Sequence, residues 1–163
     1  MGSKILYNME TNEILRCQRK PFGSAGMPSF KAICMSASVP ENLKSKLDTC
    51  VINERISTKE AKTKLRVVNG EAINKPKVNI TTDKQEVSIS NNPQFNIDIQ
   101  ITNQINTDSF STAQMSINDV EFTISITDNI GTKTIELSEA DAYKISCIDD
   151  RFISQQVEVA AIE

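Results

Sequence analysis

The stretch FNIDIQIT, from Phe95 to Thr102, alternates apolar and polar residues without interruption. A period of two places every second side chain on the same face of a β-strand, so one face is buried and the other faces water. The same alternation returns at 120–126, 143–147 and 157–161. Roughly seven or eight such short strands, separated by turn-forming residues, predict an antiparallel β-sandwich over residues 77–163.

The first half of the chain predicts two β-hairpins. The apolar runs Ile5–Tyr7 and Ile14–Cys17 flank a turn-forming segment, which is the pattern of paired strands. Asn69-Gly70 lies between apolar residues and favours a two-residue hairpin turn, because both positions need a positive φ. Between the hairpins, residues 21–28 contain two prolines and two glycines and are expected to form a loop.

Short helices are expected between these hairpins. Residues 29–39 fit a helical apolar stripe and a strand alternation equally well. A short helix is predicted over 40–48, because Pro40 suits a first helical position. Ser57 and Glu60 form a capping-box pattern for a further brief helix.

Charge divides the chain in two. The net charge is −3, but residues 1–76 hold 13 Lys+Arg against 7 Asp+Glu, a balance of +6. Residues 77–163 hold 5 against 14, a balance of −9. Such asymmetry indicates two modules. We therefore predict a mostly β protein, with a small α+β docking module at 4–76 and the sandwich at 77–163; Met1-Gly2-Ser3 has the composition of a cloning remnant and is left out.

The chain contains no histidine. This removes the usual general base at neutral pH, every Ser-His or Cys-His pair and the commonest metal ligand. The four cysteines are widely spaced with no C-x-x-C pattern, which predicts buried free thiols. We predict no catalytic residue, no cofactor and no metal site, and hence no enzyme; catalysis through paired carboxylates is the alternative.

Acidic residues cluster near the C-terminus, at Glu139, Asp141, Asp149 and Asp150. Oxygen ligands of this kind can hold a cation, but the spacing of a calcium-binding loop is absent. We expect a solvated acidic edge instead.

Basic residues in the first module form a candidate docking patch, Arg16, Arg19, Lys20 and Lys31. Phosphate binding is the alternative, but few aromatic side chains lie nearby and the pI is about 5.1. We therefore expect an acidic protein partner and no nucleic acid. No apolar run approaches the ~20 residues that span a bilayer, and no signal-peptide pattern opens the chain, so no membrane contact is expected.

A finer signal precedes the strand at 143–147. Leu137 lies six residues before Tyr143, which is the spacing of a tyrosine corner, where the tyrosine hydroxyl bonds the backbone a few residues upstream. The alternative is an ordinary core tyrosine.

The region 78–162 resembles bacterial immunoglobulin-like domains of the invasin and intimin kind. The resemblance rests on Ile80–Lys84, Phe95–Thr102, Tyr143–Ser146 and Val157–Val159. It implies an immunoglobulin-like β-sandwich. The glycine- and alanine-rich loop usual in that family is replaced by Asn103–Thr112.

The first module resembles the short modules that open tail-associated and other virion proteins of bacteriophages. The residues that carry this resemblance are Ile5–Leu15, Ile56–Ala61 and Val67–Gly70. It implies a structural or accessory virion protein, synthesised in the bacterial cytoplasm, that docks on other virion proteins through one module and displays the other. The alternative is an adhesin that binds a glycan or protein of the host cell surface. The oligomeric state is left open.

Overall fold

The structure, a computed structural model, describes residues 2–21, 23, 26–106 and 108–163. The chain is mostly β, which confirms the predicted class. It divides into two compact units, Met1–Lys75 and Pro76–Glu163. Within the predicted loop at 21–28, Phe22, Ser24 and Ala25 lie outside the described residues.

The first unit combines short strands with short helices. Its elements in chain order are β1 (Ser3–Asn8), β2 (Ile14–Arg19), α1 (Phe30–Ser36), a 3₁₀ helix (Glu41–Lys46), β3 (Leu47–Ile52), α2 (Thr58–Lys64), β4 (Leu65–Val68) and β5 (Glu71–Asn74). β1 is the central strand of an antiparallel sheet, with β2 and β3 on its two sides. β4 and β5 form the second predicted hairpin, and both Asn69 and Gly70 have the positive φ that their turn requires.

Local capping explains where the helices of this unit begin. Ser29 Oγ accepts a hydrogen bond from Ala32 N, and α1 buries Ile33 and Cys34, so the helical interpretation of 29–39 is the right one. The capping box of Ser57 and Glu60 is present at the start of α2, as predicted. Of the helix predicted over 40–48, only Glu41–Lys46 forms a helix, which is a 3₁₀ helix that buries no residue, and Leu47 already begins β3.

The sheet of the first unit is covered on both faces. Ile5 and Tyr7 of β1 point to one face and pack against Ala61 of α2. Leu6 points to the other face and packs against Ile33 of α1. Because both faces are buried, β1 has consecutive apolar residues where a half-exposed strand would alternate.

Gly2 and Ser3 belong to the first unit, so the prediction that leaves them out is wrong. Gly2 O accepts a hydrogen bond from Lys20 N at 3.0 Å, and Ser3 is the first residue of β1. Ser3 is fully buried, and its Oγ donates to Glu54 O at 2.8 Å and accepts from Ile56 N at 3.3 Å. Ser3 therefore joins β1 to the segment that precedes α2, a role that the composition of the first three residues does not predict.

The second unit contains two β-sheets. Its strands in chain order are β6 (Lys77–Thr82), β7 (Glu86–Ser88), β8 (Gln94–Thr102), β9 (Thr112–Ile117), β10 (Val120–Ser125), β11 (Ile130–Glu136), β12 (Ala142–Cys147), β13 (Ile153–Ser154) and β14 (Gln156–Ile162). One sheet has the order β10-β9-β12-β14-β7 and the other the order β11-β8-β6-β13. All neighbours are antiparallel except β13 with β6 and β14 with β7.

One hydrophobic core joins these sheets. Phe95 and Ile97 of β8 lie in the same buried cluster as Met115 of β9, Ile145 of β12 and Val159 of β14. Side chains from both sheets therefore meet in one layer, as in a β-sandwich. The alternation of Phe95–Thr102 decides which side chains enter that layer, as expected.

Tight turns and a tyrosine fix the ends of these strands. Asp128 and Asn129 have positive φ values of 51° and 68°, and β11 begins directly after them. Tyr143 Oη donates to Glu139 O at 3.0 Å, which confirms the tyrosine corner.

Candidate functional site

The structure does not bring the four predicted docking residues onto one face. In β2, Arg16 pairs with Leu6 and Arg19 pairs with Ser3. Residues paired across strands share a face of the sheet, so Arg16 lies on the α1 side. Arg19 lies on the α2 side, where its guanidinium contacts Ile56 O at 3.4 Å and Glu60 at 4.0 Å.

The remaining two predicted residues also differ in position. Lys31 is exposed on α1, whereas Lys20 is half-buried directly after β2, where its backbone extends the ladder with Gly2. Arg16 and Lys31 are therefore the two exposed members on the α1 side of the sheet. A docking surface made from the predicted set would use this pair, and Arg19 would serve the packing of α2.

An apolar depression lies on the same side of the first unit. It has a volume of about 300 Å³ and is lined by Leu15, Val39, Pro40, Leu43 and Leu47 among others. Lys46 stands at its border and pairs with Glu10 at 3.1 Å. The depression offers a small apolar contact, with no pair of carboxylates among its lining residues.

The prediction that Asp149 belongs to a solvated acidic edge of the second unit is wrong. This carboxylate is buried, and it accepts hydrogen bonds from Arg151 Nε at 2.8 Å, Arg151 NH2 at 2.6 Å and Gln114 N at 3.3 Å. Burial favours the neutral acid, but these bonds outweigh it, so the pKa of Asp149 is lowered. Asp149 is an internal structural anchor rather than a solvated charge.

Arg151 extends this anchor. Its NH2 donates to Thr112 O at 2.8 Å, which ties the turn after β12 to the start of β9. The guanidinium lies 5.4 Å from the Phe152 ring centroid and 5.8 Å from that of Phe110. The Asp149 carboxylate and the Arg151 Nε and NH2 groups therefore bond within the fold, and this ion pair is structural.

Cysteine and carboxylate chemistry gives no further site. All four cysteines are free, as predicted, and burial raises the pKa of each thiol, which keeps the unreactive thiol form at neutral pH. In the part of the chain that the structure describes, no group of three cysteine or acidic side chains converges as a metal site would require.

Strand edges are the remaining candidates, because unpaired backbone groups can bind another strand. The outer edge of β2 is blocked: Thr58 Oγ1 accepts from Cys17 N at 3.0 Å and donates to Cys17 O at 3.1 Å. The outer edge of β10 is blocked at Thr123, whose carbonyl accepts from Lys133 Nζ at 3.3 Å. The same ammonium lies 5.3 Å from the Phe122 ring centroid.

The outer edge of β11 is open by comparison. β11 pairs with β8 on one side; on the other side its first residue, Ile130, exchanges backbone hydrogen bonds with Thr127, and beyond Ile130 none of the strands formed by the described residues pairs with this edge. Thr132, Thr134 and Glu136 are exposed along this edge. Sequence reasoning missed it, although Lys133 was a signal, since a charged residue on the inner face of a strand is typical of sheet edges.

Comparison with known proteins gives no identity: no family model matches the chain, and no curated protein matches it in sequence. None of the helices formed by the described residues is long and apolar enough to cross a bilayer.

Proposed function

We propose that this chain is a non-enzymatic structural or accessory protein of a larger assembly. In this proposal the basic first unit docks on the assembly and the acidic second unit is displayed. The observation that carries it is the charge balance of +6 in residues 1–75 against −9 in residues 76–163, divided at the boundary between two separately cored units. Opposite charges on two units fit two different surroundings.

An immunoglobulin-like assignment for the second unit is part of the proposal. It is supported by two facing sheets in which β8 lies between β6 and β11, while β12 lies between β9 and β14. The bond from Tyr143 to Glu139 O supports it as well, because a tyrosine corner at the start of this strand recurs in such sandwiches. Domains of this architecture serve many kinds of recognition, so the assignment supports display rather than one ligand.

A bacteriophage particle is the assembly we propose, on the resemblance of Ile5–Leu15 and Ile56–Ala61 to virion modules. On the α1 side of the first unit, Arg16 and Lys31 are exposed and have no ion pair among the described residues. These side chains are the ones we propose to meet an acidic virion protein.

The test is cofractionation of the full chain with phage particles from lysates that contain it. We expect the chain to sediment with the particles at low salt and to be released at about 1 M salt, where the Debye length falls to about 3 Å. Arg16→Glu should weaken this association at least tenfold.

Lys144→Glu is the matched control, because Lys144 is equally exposed, lies in the second unit and gives the same change in charge. If Lys144→Glu releases the protein and Arg16→Glu does not, the roles of the units are reversed. Binding to host cells with no particle association would favour the adhesin alternative.

A further inference from the structure

We infer that the outer edge of β11 is a binding site for an extended, lysine- or arginine-bearing segment of a partner protein, which adds one strand to the sheet β11-β8-β6-β13. This goes beyond the proposed function, because it concerns a site on the second unit that does not depend on how the first unit docks. The inference rests on the direction of backbone groups, on what blocks the neighbouring edge of β10 and on charge.

Two hydrogen bonds that flank β11 set the direction of its backbone groups. Ile101 N donates to Asn129 O at 2.8 Å, and Leu137 N donates to Pro93 O at 2.9 Å. In an antiparallel pair, the residues that exchange hydrogen bonds alternate along each strand. Odd-numbered residues of β11 therefore bond β8, and the N–H and C=O groups of Thr132, Thr134 and Glu136 point away from it.

The side chains of these three residues hold the edge in a defined geometry. Thr132 Oγ1 donates to Asp98 Oδ1 at 2.6 Å, and Thr134 Oγ1 donates to Asn96 Oδ1 at 2.7 Å. Gln94 Nε2 donates to Glu136 Oε2 at 3.3 Å. A strand fixed by neighbours in this way loses little conformational entropy when another strand pairs with it.

The facing strand of the other sheet does not offer an equivalent edge. Ile126 N donates to Ser111 O at 2.8 Å. The even-numbered residues of β10 therefore bond β9, and the backbone N–H and C=O of Thr123 point away from β9. Its carbonyl already accepts from Lys133 Nζ. A Cβ on Gly131 would lie 2.5 Å from Ser125 O, so β11 itself closes the end of that edge.

Charge selects the partner. The second unit has 5 Lys+Arg against 14 Asp+Glu, and Glu136 and Asp98 lie on the solvent face of β11 and its neighbour β8. A basic segment is therefore attracted, and a second copy of the same acidic edge is repelled.

The pleat specifies the pattern of the partner segment. Side chains of an added strand alternate between the two faces of the sheet. On one face they would lie beside Thr132, Thr134 and Glu136, which suits lysine or arginine. On the other face they would lie beside Lys133 and the half-buried Ile135, which suits small apolar residues. The site thus fits alternating basic and apolar residues.

The probe is a blocked seven-residue peptide of alternating valine and lysine, titrated by NMR against the full-length protein, with no particle in the assay. We expect saturable binding with slowed hydrogen exchange at the amides of Thr132 and Thr134. The same peptide with glutamate in place of lysine should bind at least tenfold more weakly. Protection confined to other amides, or no binding at millimolar peptide, overturns the inference.

Thr134→Pro is the decisive variant: it removes one outward N–H together with the Thr134 Oγ1 bond to Asn96, and it leaves the charge and the backbone hydrogen bonds to β8 unchanged. It should weaken binding of the lysine peptide at least tenfold. Thr123→Pro, at an outward position of β10, is the matched control and should leave the affinity unchanged. Equal binding by wild type and Thr134→Pro would mean attraction by charge alone and would refute strand addition.

A second measurement keeps the test open if Thr134→Pro does not fold. Two peptides are compared on the wild-type protein, one N-methylated at every lysine and one at every valine. Only one edge of the peptide can pair with β11, since N–H groups alternate between the two edges. One peptide should lose at least tenfold in affinity and the other should not; equal affinities would rule the site out.

Discussion

The two units of this chain solve the burial of apolar surface differently. In the second unit, 17 buried residues among those that the structure describes form one continuous core between two sheets. In the first unit, two smaller clusters lie on the two faces of the three-stranded sheet, and the hairpin β4-β5 contributes Val67 to one of them. The first unit also has side-chain hydrogen bonds to the backbone. Thr58 bonds Cys17 at the edge of β2, and Ser3 bonds the Glu54 carbonyl. The second unit therefore concentrates its apolar burial in one core, whereas the first divides it between two and adds side-chain hydrogen bonds to the backbone.

The largest effect that would sharpen this contrast is expected from Phe95→Ala. Phe95 is among the largest fully buried side chains, and its removal should lower the free energy of unfolding by about 4 kcal/mol through lost burial and a cavity. Hydrogen exchange measured by mass spectrometry reports each unit separately. We expect faster exchange throughout residues 76–163 and unchanged protection in the first unit.

The matching change in the first unit is Ile33→Ala, which should cost about 3 kcal/mol and affect only residues 1–75. If either substitution loosened both units equally, the chain would unfold as one cooperative body and the contrast between two separately stabilised units would be lost.

Asp149→Asn tests the buried carboxylate of the second unit and should lower the free energy of unfolding by about 2 kcal/mol. Removing one partner of a buried ion pair is strongly destabilising, but Arg151 is 45% exposed and can regain water. The pKa of Asp149 is lowered in the folded state, so its contribution to stability is full above the unfolded-state pKa of about 4 and is lost as pH falls through the folded-state pKa.

Urea unfolding at a series of pH values measures this contribution. The difference between wild type and Asp149→Asn should be largest near neutral pH and shrink below pH ~4. Glu139→Gln, an exposed change in the same region, should stay within about 0.5 kcal/mol at every pH. A difference that grew on acidification would contradict the assigned ion pair.

Gly2→Ala tests the packing of the first unit and should lower the free energy of unfolding by about 1–3 kcal/mol through overpacking. A Cβ at this position would lie 2.4 Å from Ile52 O, a backbone atom that cannot move aside without shifting β3. Gly26→Ala is the control, since nothing lies within 4 Å of its added Cβ. Thermal unfolding should separate the two variants; equal melting temperatures would mean that residue 2 is not part of the packed unit.

The smallest expected effect compares the two tyrosines, one in each unit. Tyr143→Phe removes the bond to Glu139 O and should cost about 1 kcal/mol. Tyr7→Phe should cost less than about 0.5 kcal/mol, because its bond to the exposed Asp48 is long, at 3.4 Å. Urea unfolding of both variants checks the order, and a larger loss from Tyr7→Phe would reverse it.

Much of the fold could be predicted because side-chain period survives in the sequence. The strand Phe95–Thr102 could be predicted because one of its faces is exposed to solvent and the other is buried. The turn at Asn69-Gly70 could be predicted because few residue types adopt the positive φ values that it requires. The segment 29–39 was ambiguous because a seven-residue helix shows barely two turns of its period. The mostly β class followed from these local signals.

The positions of the candidate docking residues depend on the strand register, which could not be predicted from the sequence. The strand predicted at Ile14–Cys17 extends to Arg19 in the structure, and alternation along that added length sends Arg16 and Arg19 to opposite faces. The open edge of β11 likewise follows from which strands become neighbours, a tertiary outcome. Asp149 was misjudged because its partner Arg151 comes from the same turn, whose conformation no local pattern predicted.

Lys133 has a consequence for solubility. One ammonium group both occupies the outward carbonyl of Thr123 and covers the face of Phe122. Inward-pointing charges of this kind discourage edge-to-edge aggregation. Lys133→Ala removes both contacts, which would leave the Thr123 carbonyl and the Phe122 ring exposed together on one flank of the sandwich, and precipitation on heating should begin there while the native fold is still intact.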